Sequence, residues 1–252
     1  MFENFLSTLD KTVKLQTIPV ATKFIKESSQ IEGIKIRLKN KKINICQQIA
    51  YSRYYGWSTY VEGNYSYCVL GASNCGLIST PERVIEGKVN CSIYQKDINA
   101  AKKMQECMPR VKERFTGFLT YPLTKPIENI ITDVIVIYAN TAQTMRFLQA
   151  FLYHEGGEFV MKSSGDAGVC SRCVVEAYLT NEPKIEIPCL GDRRFAMAQD
   201  FELAIGIPYK KLDKVIEGLL ETHKAGIRYP IPFDMKEHCE LPKEYTTLEN
   251  DA

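Results

Sequence analysis

The spacing of apolar residues differs along the chain, with some segments typical of helices and others typical of strands. Apolar residues recur at helical intervals in five segments: residues 2–13, 45–56, 97–108, 141–152 and 209–222. Runs that alternate or stay apolar predict strands at residues 18–25, 117–123, 133–139 and 202–208. The clearest of these, residues 133–139, holds an unbroken apolar run, which is typical of a strand buried on both faces. The pattern therefore predicts an α/β protein whose sheet is covered by helices.

Local signals set the ends of several elements. Asn44 predicts the start of a helix at Ile45, and Gly226 is the natural stop of the last helix. Residues 165–173 are rich in small side chains and are expected to form a loop or tight turn. Residues 233–252 are acidic and polar, and they predict a loosely held tail.

The chain also shows a repeated order of elements. A strand, an asparagine-capped helix, a glycine, a second strand and a cysteine in a small-residue loop are expected in residues 18–75 and again in residues 133–173. A duplicated unit would place the two cysteine loops opposite each other across a pseudo-twofold axis. The alternative is that any α/β protein repeats strands and helices. We expect two similar α/β halves, residues 1–125 and 126–232, packed as one globular unit.

Composition and charge narrow the class of protein. The chain has 252 residues, enough to bury a core without disulfides or a structural metal. Its 32 Lys and Arg nearly balance its 30 Asp and Glu and form no basic stripe, so a nucleic-acid partner is not expected. No segment resembles a signal peptide or approaches the roughly 18 apolar residues of a membrane span. We expect a soluble, cytoplasmic protein with no membrane partner.

Nine cysteines are the main chemical signal. In a reducing cytoplasm they are better interpreted as thiols or metal ligands than as disulfides. Thiolates are soft ligands that favour zinc or an iron–sulfur cluster. Structural zinc sites usually have two C-x-x-C pairs, whereas this chain has only Cys170 and Cys173, so we place a cluster above zinc. The proposed metal ligands are Cys46, Cys68, Cys170 and Cys189.

Residues near these cysteines complete the predicted site. Gly168 and Gly191 leave space for a cofactor. Arg193 and Arg194 follow Cys189 closely and could lower the pKa of a thiol or bind a carboxylate or phosphate. The alternative for the two arginines is a salt bridge to a nearby acidic residue, namely Asp192, Asp200 or Glu202. Single cysteines are often small buried hydrophobic residues, and we assign Cys91, Cys107 and Cys239 to that group.

Several motifs resemble one protein family over nearly the whole chain, residues 19–230. The most specific pieces are Cys46-Gln47, Cys68 with Gly71-Ala72, residues 138–146, Gly168-Val-Cys170 and Pro188-Cys-Leu-Gly-Asp-Arg-Arg194. They resemble the archaeal and anaerobic bacterial proteins called domain of unknown function 169. The resemblance implies a cytoplasmic protein of organisms that live without oxygen, with the four proposed ligands at family motif positions. It places Cys75 and Cys173 where members vary, and Asp192 where some relatives have another cysteine, so the ligand set stays open.

Three functional hypotheses follow from these observations. The first is an iron–sulfur protein of anaerobic metabolism that transfers electrons or reduces a small anionic substrate. The second is a module that binds a cofactor or metabolite without redox chemistry, and the third is a structural protein stabilised by zinc. The expected partner is a small-molecule ligand or a redox protein, and a homo-oligomer is compatible with the sequence.

Overall fold

The structure is a computed structural model that describes residues 1–231. The predicted polar tail, residues 233–252, and Cys239 lie outside this range. Among the helices of residues 1–231, none combines the length and the apolar character needed to cross a membrane.

Seven strands form one mixed sheet in the order β2-β3-β4-β1-β5-β7-β6. The strands are β1 (Val20–Ile25), β2 (Leu38–Lys39), β3 (Thr59–Glu62), β4 (Gly117–Pro122), β5 (Val134–Asn140), β6 (Lys184–Glu186) and β7 (Glu202–Pro208). Neighbouring strands are antiparallel except β2 and β3, which are parallel. The four predicted strands are confirmed as β1, β4, β5 and β7, and they form the centre of the sheet.

Helices cover both faces of the sheet. One face carries α1 (Phe2–Thr12), α6 (Thr141–Leu152) and α9 (Leu212–Lys224). The other carries α2 (Ile45–Tyr55), α3 (Val69–Asn74), α4 (Glu82–Ile85), α5 (Ile98–Glu106), a π-helix (Gly168–Glu176), α7 (Ala177–Thr180) and α8 (Leu190–Ala196). The predicted α/β class is therefore confirmed.

Strand β5 is buried on both faces, as its sequence predicts. Val136 and Tyr138 point to the core beside α2, while Ile135 and Ile137 point to the core beside α6. This alternation arises because successive side chains of a strand point to opposite faces. The apolar run of β5 thus separates two cores and fixes which face holds the cysteines.

Asparagine caps set the starts of the two central helices. The side chain of Asn140 accepts a hydrogen bond from the backbone N–H of Gln143 (2.8 Å), and Gln143 Oε1 accepts one from the N–H of Asn140 (2.9 Å). At α2, Gln47 Oε1 accepts from the N–H of Asn44 (2.9 Å). These bonds satisfy N–H groups that a helix start leaves without partners.

The predicted pseudo-twofold is not confirmed. The order β3-β4-β1 mirrors the order β6-β7-β5, and β1 pairs with β5 in antiparallel fashion between them. A twofold axis normal to the sheet would keep equivalent helices on one face, yet α2 and α6 lie on opposite faces. The sheet also continues across the expected boundary at residues 125–126.

Candidate functional site

Four cysteines line one cavity of about 310 Å³. Cys46 is in the first turn of α2, Cys68 precedes α3, Cys170 is in the π-helix and Cys189 precedes α8. All four predicted ligands are therefore brought together from segments up to 143 residues apart (189 − 46). We call this cavity the thiol pocket.

The remaining walls of the thiol pocket are mainly apolar. Its apolar side chains are Leu70, Val89, Ile93, Tyr94, Leu190 and Phe195, and its polar ones are Asn44, Asn90, Asp166, Asp192 and Arg194. Apolar walls weaken competition from water for anything bound at the thiols. They also make a thiolate costly unless a cation neutralises it.

The π-helix is the element that positions Cys170. The prediction of a loop or tight turn over residues 165–173 holds for the bend at residues 165–167 and is wrong for residues 168–173, because the π-helix begins at Gly168. Before it, Ala167 has a φ of +48°, a left-handed conformation that turns the chain into the helix. The π-helix is buried on all sides except at Glu176, so it has no alternation of apolar and polar positions that could predict it. Extended π-helical segments are rare and are often found at functional sites.

Close packing holds the π-helix on strand β7. A Cβ atom added at Gly206 would lie 1.8 Å from the carbonyl oxygen of Cys173. A Cβ at Gly168 would lie 2.9 Å from the carbonyl oxygen of Ile187. Gly168 therefore brings two cysteine-bearing segments together and does not itself line the pocket, whereas Gly191 does.

Asp192 joins the segments that carry Cys170 and Cys189. Its buried Oδ2 atom accepts hydrogen bonds from the backbone N–H groups of Cys189 (3.1 Å) and Val169 (3.4 Å). Burial raises the pKa of the Asp192 carboxyl. Sequence reasoning treated Asp192 only as a salt-bridge partner or as a replaced cysteine, because its bond to Val169 spans 23 residues.

The two predicted arginines have different environments. Arg194 is exposed and lines the thiol pocket, with its guanidinium 5.5 Å from the ring centre of Phe195. Arg193 does not line the pocket. Its Nη1 atom donates to the carbonyl oxygen of Gln199 (2.8 Å) and lies 3.5 Å from Asp200 Oδ1. The salt-bridge alternative therefore describes Arg193, and Arg194 is the cation at the pocket.

A polar network fixes another wall of the pocket. Asn90 Nδ2 donates to Asp166 Oδ2 (2.6 Å), and Gln105 Nε2 donates to Asn90 Oδ1 (2.5 Å). Arg110 donates to the carbonyl oxygen of Gln105 (2.8 Å). Sequence reasoning missed Asn90 and Asp166, since they are 76 residues apart and no motif connects them.

Burial keeps the four pocket thiols protonated at neutral pH when no metal is bound. It raises the pKa of Cys46, Cys68 and Cys170, and it raises that of Cys189 to about 12. Negative charge on Asp192 adds to the rise at each of them. Reactive cysteine nucleophiles have lowered pKa values, so this pocket differs from a catalytic-thiolate site. A bound metal would instead have to displace the protons.

The other described cysteines lie outside the pocket lining. Cys75 and Cys173 are fully buried behind it, and burial raises both pKa values. Cys91 is partly exposed and Cys107 is exposed, so the prediction that they are buried packing residues is wrong for Cys107. All eight described cysteines are free thiols.

The arrangement of donors bears on which metal group the pocket fits. Within residues 1–231, no group of three or more His, Cys, Asp or Glu side chains is placed to hold a metal ion. A single zinc ion needs its four ligand atoms about 2.0–2.3 Å from one centre. A cluster spreads its cysteine ligands around a core of several iron and sulfide atoms, so its thiols stand further apart. Four thiols from four segments around one cavity form a donor set suited to a cysteine-ligated group, and within residues 1–231 no three donors converge on a single ion.

The fold and the pocket define an α/β protein with helices on both faces of its sheet and four thiols at one cavity. A family model described as DUF169, uncharacterised ArCR, matches residues 8–218, and the chain belongs to this family. The chain is also 29% identical over 203 residues to an uncharacterized protein of Methanocaldococcus jannaschii, MJ0308, covering 79% of this chain and 85% of the relative. No solved structure gives a significant match. The resemblance inferred from the sequence motifs is confirmed.

Proposed function

We propose that this chain is an iron–sulfur protein whose cluster is bound in the thiol pocket by Cys46, Cys68, Cys170 and Cys189. The observation that carries the proposal is that four thiols from four separate segments line one cavity of about 310 Å³. Such a cluster supplies one-electron chemistry when it is bound. We further propose that the protein works in the cytoplasm of an anaerobe, where oxygen-sensitive thiol chemistry persists.

The chain's own residues would hold and tune this group. The backbone N–H of Gly71 points to Cys68 Sγ at 3.5 Å, and N–H groups near sulfur ligands shift the potential of a cluster. Asp192 keeps Cys189 beside the π-helix through its two backbone bonds. Leu70 and Val89 line the pocket beside the thiols and would limit the access of water to a bound group. These groups would set the geometry, potential and solvent access of the site.

The test is metal analysis of the full chain prepared without oxygen. We expect iron and acid-labile sulfide in the wild type, and loss of at least half of the iron in each single Cys→Ser variant of the four ligands. Cys107→Ser is the matched control, because Cys107 is a free thiol outside the pocket and should leave the iron content unchanged. Retention of full iron in all four variants would contradict the proposed ligand set.

A non-redox binding module is the second candidate, because the pocket walls are mainly apolar. In that case Cys→Ser variants would keep their ligand affinity, and the protein would contain no iron. The zinc-stabilised alternative predicts one zinc per chain and unfolding by a chelator. The same metal analysis separates all three hypotheses.

We also propose that the two halves of the chain are related by internal duplication. The mirrored strand order around the β1–β5 pair supports two related strand units, residues 1–125 and 126–232, and the helices α2 and α6, which lie on opposite faces, are not part of this relation. Each unit also contributes two of the four pocket cysteines, Cys46 and Cys68 from the first and Cys170 and Cys189 from the second.

A further inference from the structure

The mouth of the thiol pocket is an exposed apolar surface with one cation. Its side chains, which we call the pocket rim, are Ile93, Tyr94, Leu190, Arg194 and Phe195. The four apolar members are exposed by 72% (Ile93), 40% (Tyr94), 56% (Leu190) and 51% (Phe195). Exposed apolar groups that gather around one opening mark an interaction site more often than scattered ones do.

The size of the cavity limits which kind of molecule can bind at the pocket rim. At about 310 Å³ the thiol pocket is at the lower end of ligand pockets, which span roughly 300–1,000 Å³. A cluster bound as proposed above would use this space, and an organic substrate would then have only the rim to contact. An open rim covers one side of a small molecule, whereas it offers a protein partner apolar anchors around the cluster.

The charge of the pocket rim indicates whether an acidic or a basic partner is favoured. None of the ion pairs formed within residues 1–231 includes Arg194, and Asp166 and Asp192 are buried in the pocket wall. The exposed charge at the rim is therefore positive. Positive and negative patches that face each other speed the encounter of two proteins and fix their orientation.

Helix α8 connects the rim directly to the proposed cluster. Cys189 precedes this helix, and Leu190, Arg194 and Phe195 are on it. A protein that contacts these side chains would lie within a few residues of a cluster ligand. Transient electron-transfer complexes bury less than about 1,200 Å², so a small rim is sufficient for such an encounter.

We propose that the pocket rim is the docking surface for an acidic electron-transfer protein of the ferredoxin or flavodoxin type. This inference rests on the proposed cluster. A cluster held by the four pocket thiols would accept one electron from the reduced partner, which would be oxidised by one electron, and no covalent bond would form or break. Arg194 would pair with a carboxylate of the partner, while Ile93 and Phe195 contact an apolar area beside it.

The test measures the second-order rate at which two reduced probes, a small acidic ferredoxin and a flavodoxin, reduce the iron-loaded full chain in a stopped-flow instrument. Two variants change the rim: Arg194→Glu and Ile93→Asp. Each has a matched control away from the rim. Lys11→Glu makes the same charge change on α1, on the opposite face of the sheet, and Ile131→Asp alters a side chain that is 69% exposed. Reduction of each variant by dithionite checks that its cluster remains reactive.

With at least one probe, we expect both rim variants to react at least tenfold more slowly than the wild type at low ionic strength. The controls should stay within twofold, and dithionite should reduce all of them equally. Added salt should slow the wild type more than Arg194→Glu. Equal rates for wild type and rim variants, or no reaction of the wild type with either probe, would overturn the docking proposal. A protein without iron would instead overturn the proposed cluster, and the docking proposal with it.

Discussion

At the scale of single residues, the protonation of Cys189 distinguishes a metal-binding thiol from a reactive one. Burial raises its pKa to about 12, and the backbone N–H groups of Asp192 and Gly168 only partly oppose this effect. The neutral thiol is therefore the stable form in the metal-free protein. Iron would compete with a single proton at this site, and it would place positive charge directly on the Cys189 sulfur.

Alkylation of metal-free protein tests this state of Cys189. Only the thiolate reacts, so the rate of labelling by iodoacetamide should keep rising as the pH increases from 9 to 11. In the urea-unfolded protein the same cysteine should level off above pH about 9, as an ordinary thiol does. At pH 8 we expect labelling in the folded protein to be at least 100-fold slower. Mass spectrometry of the Cys189 peptide gives both rates.

A plateau below pH 9 in the folded protein would contradict a raised pKa.

The raised pKa of Cys189 also makes the stability of the metal-free protein depend on pH. Because the folded-state pKa of Cys189 is above its unfolded value, its contribution to stability is fully present below pH about 9. That contribution is lost as the pH rises towards 12.

The sequence predicts some residues of the site better than others. The four cysteines could be selected because thiols are rare and their motifs match a family. Asp166 and Asn90 could not, because their roles depend on contacts between distant segments. The two adjacent arginines have similar sequence surroundings, and only the direction of each side chain from α8 separates Arg194 from Arg193.

At the scale of elements, three of the four pocket cysteines lie in or at the start of helices that the sequence predicts poorly, and only Cys46 lies on a predicted helix, α2. The amphipathic helices α1, α5, α6 and α9 follow from helical periodicity, and Asn44 marks the start of α2. In contrast, α3, α8 and the π-helix are short or buried and contain glycine, so they look like loops in the sequence. Strands β2 and β6 are not predicted, because two or three residues carry little periodicity, whereas β3 lies where the repeated order places a second strand. Predictions from local sequence periodicity and propensity often fail at functional sites.

Gly206→Ala tests whether contact with β7 holds the π-helix in place. The added methyl group would overlap the carbonyl oxygen of Cys173, so the helix or the strand must move. We expect a loss of about 3 kcal/mol in the free energy of unfolding, measured by urea denaturation. Because Cys170 is on the same helix, the iron content should also fall.

Gly191→Ala is the matched control for this substitution. Its added methyl group makes only an ordinary contact, 3.6 Å from Cys189 Sγ, and it lies in a helix where alanine is favoured. The control should unfold within about 1 kcal/mol of the wild type. A wild-type urea midpoint for Gly206→Ala would mean that the π-helix does not depend on this contact.

At the scale of the whole molecule, the two halves are joined by pairing and by charge. Strand β1 pairs with β5 across the boundary at residues 125–126. The buried Arg53 of α2 forms an ion pair with Glu202 of β7, and its guanidinium lies 3.9 Å from the ring centre of Tyr138. Breaking a buried pair by removing one partner typically costs about 3–5 kcal/mol. Sequence periodicity could predict the strands but not these long-range partners.

We therefore expect the full chain to unfold in one cooperative transition, and residues 1–125 alone to lack one. The fragment would lose the β5 partner of β1, the Glu202 partner of Arg53 and two of the four pocket cysteines. Urea unfolding followed by circular dichroism measures both behaviours. Two separate transitions in the full chain, or cooperative unfolding of the fragment, would contradict a single folding unit.

The proposed cluster is tested most directly by assaying iron and acid-labile sulfide in the full-length protein purified without oxygen. Ligation by the four pocket thiols predicts about two or four iron atoms per chain with an equal amount of sulfide, and a brown protein that absorbs visible light. The Cys107→Ser variant should match the wild type, and Cys189→Ser should lose iron. A colourless protein that contains neither iron nor sulfide would contradict the central claim.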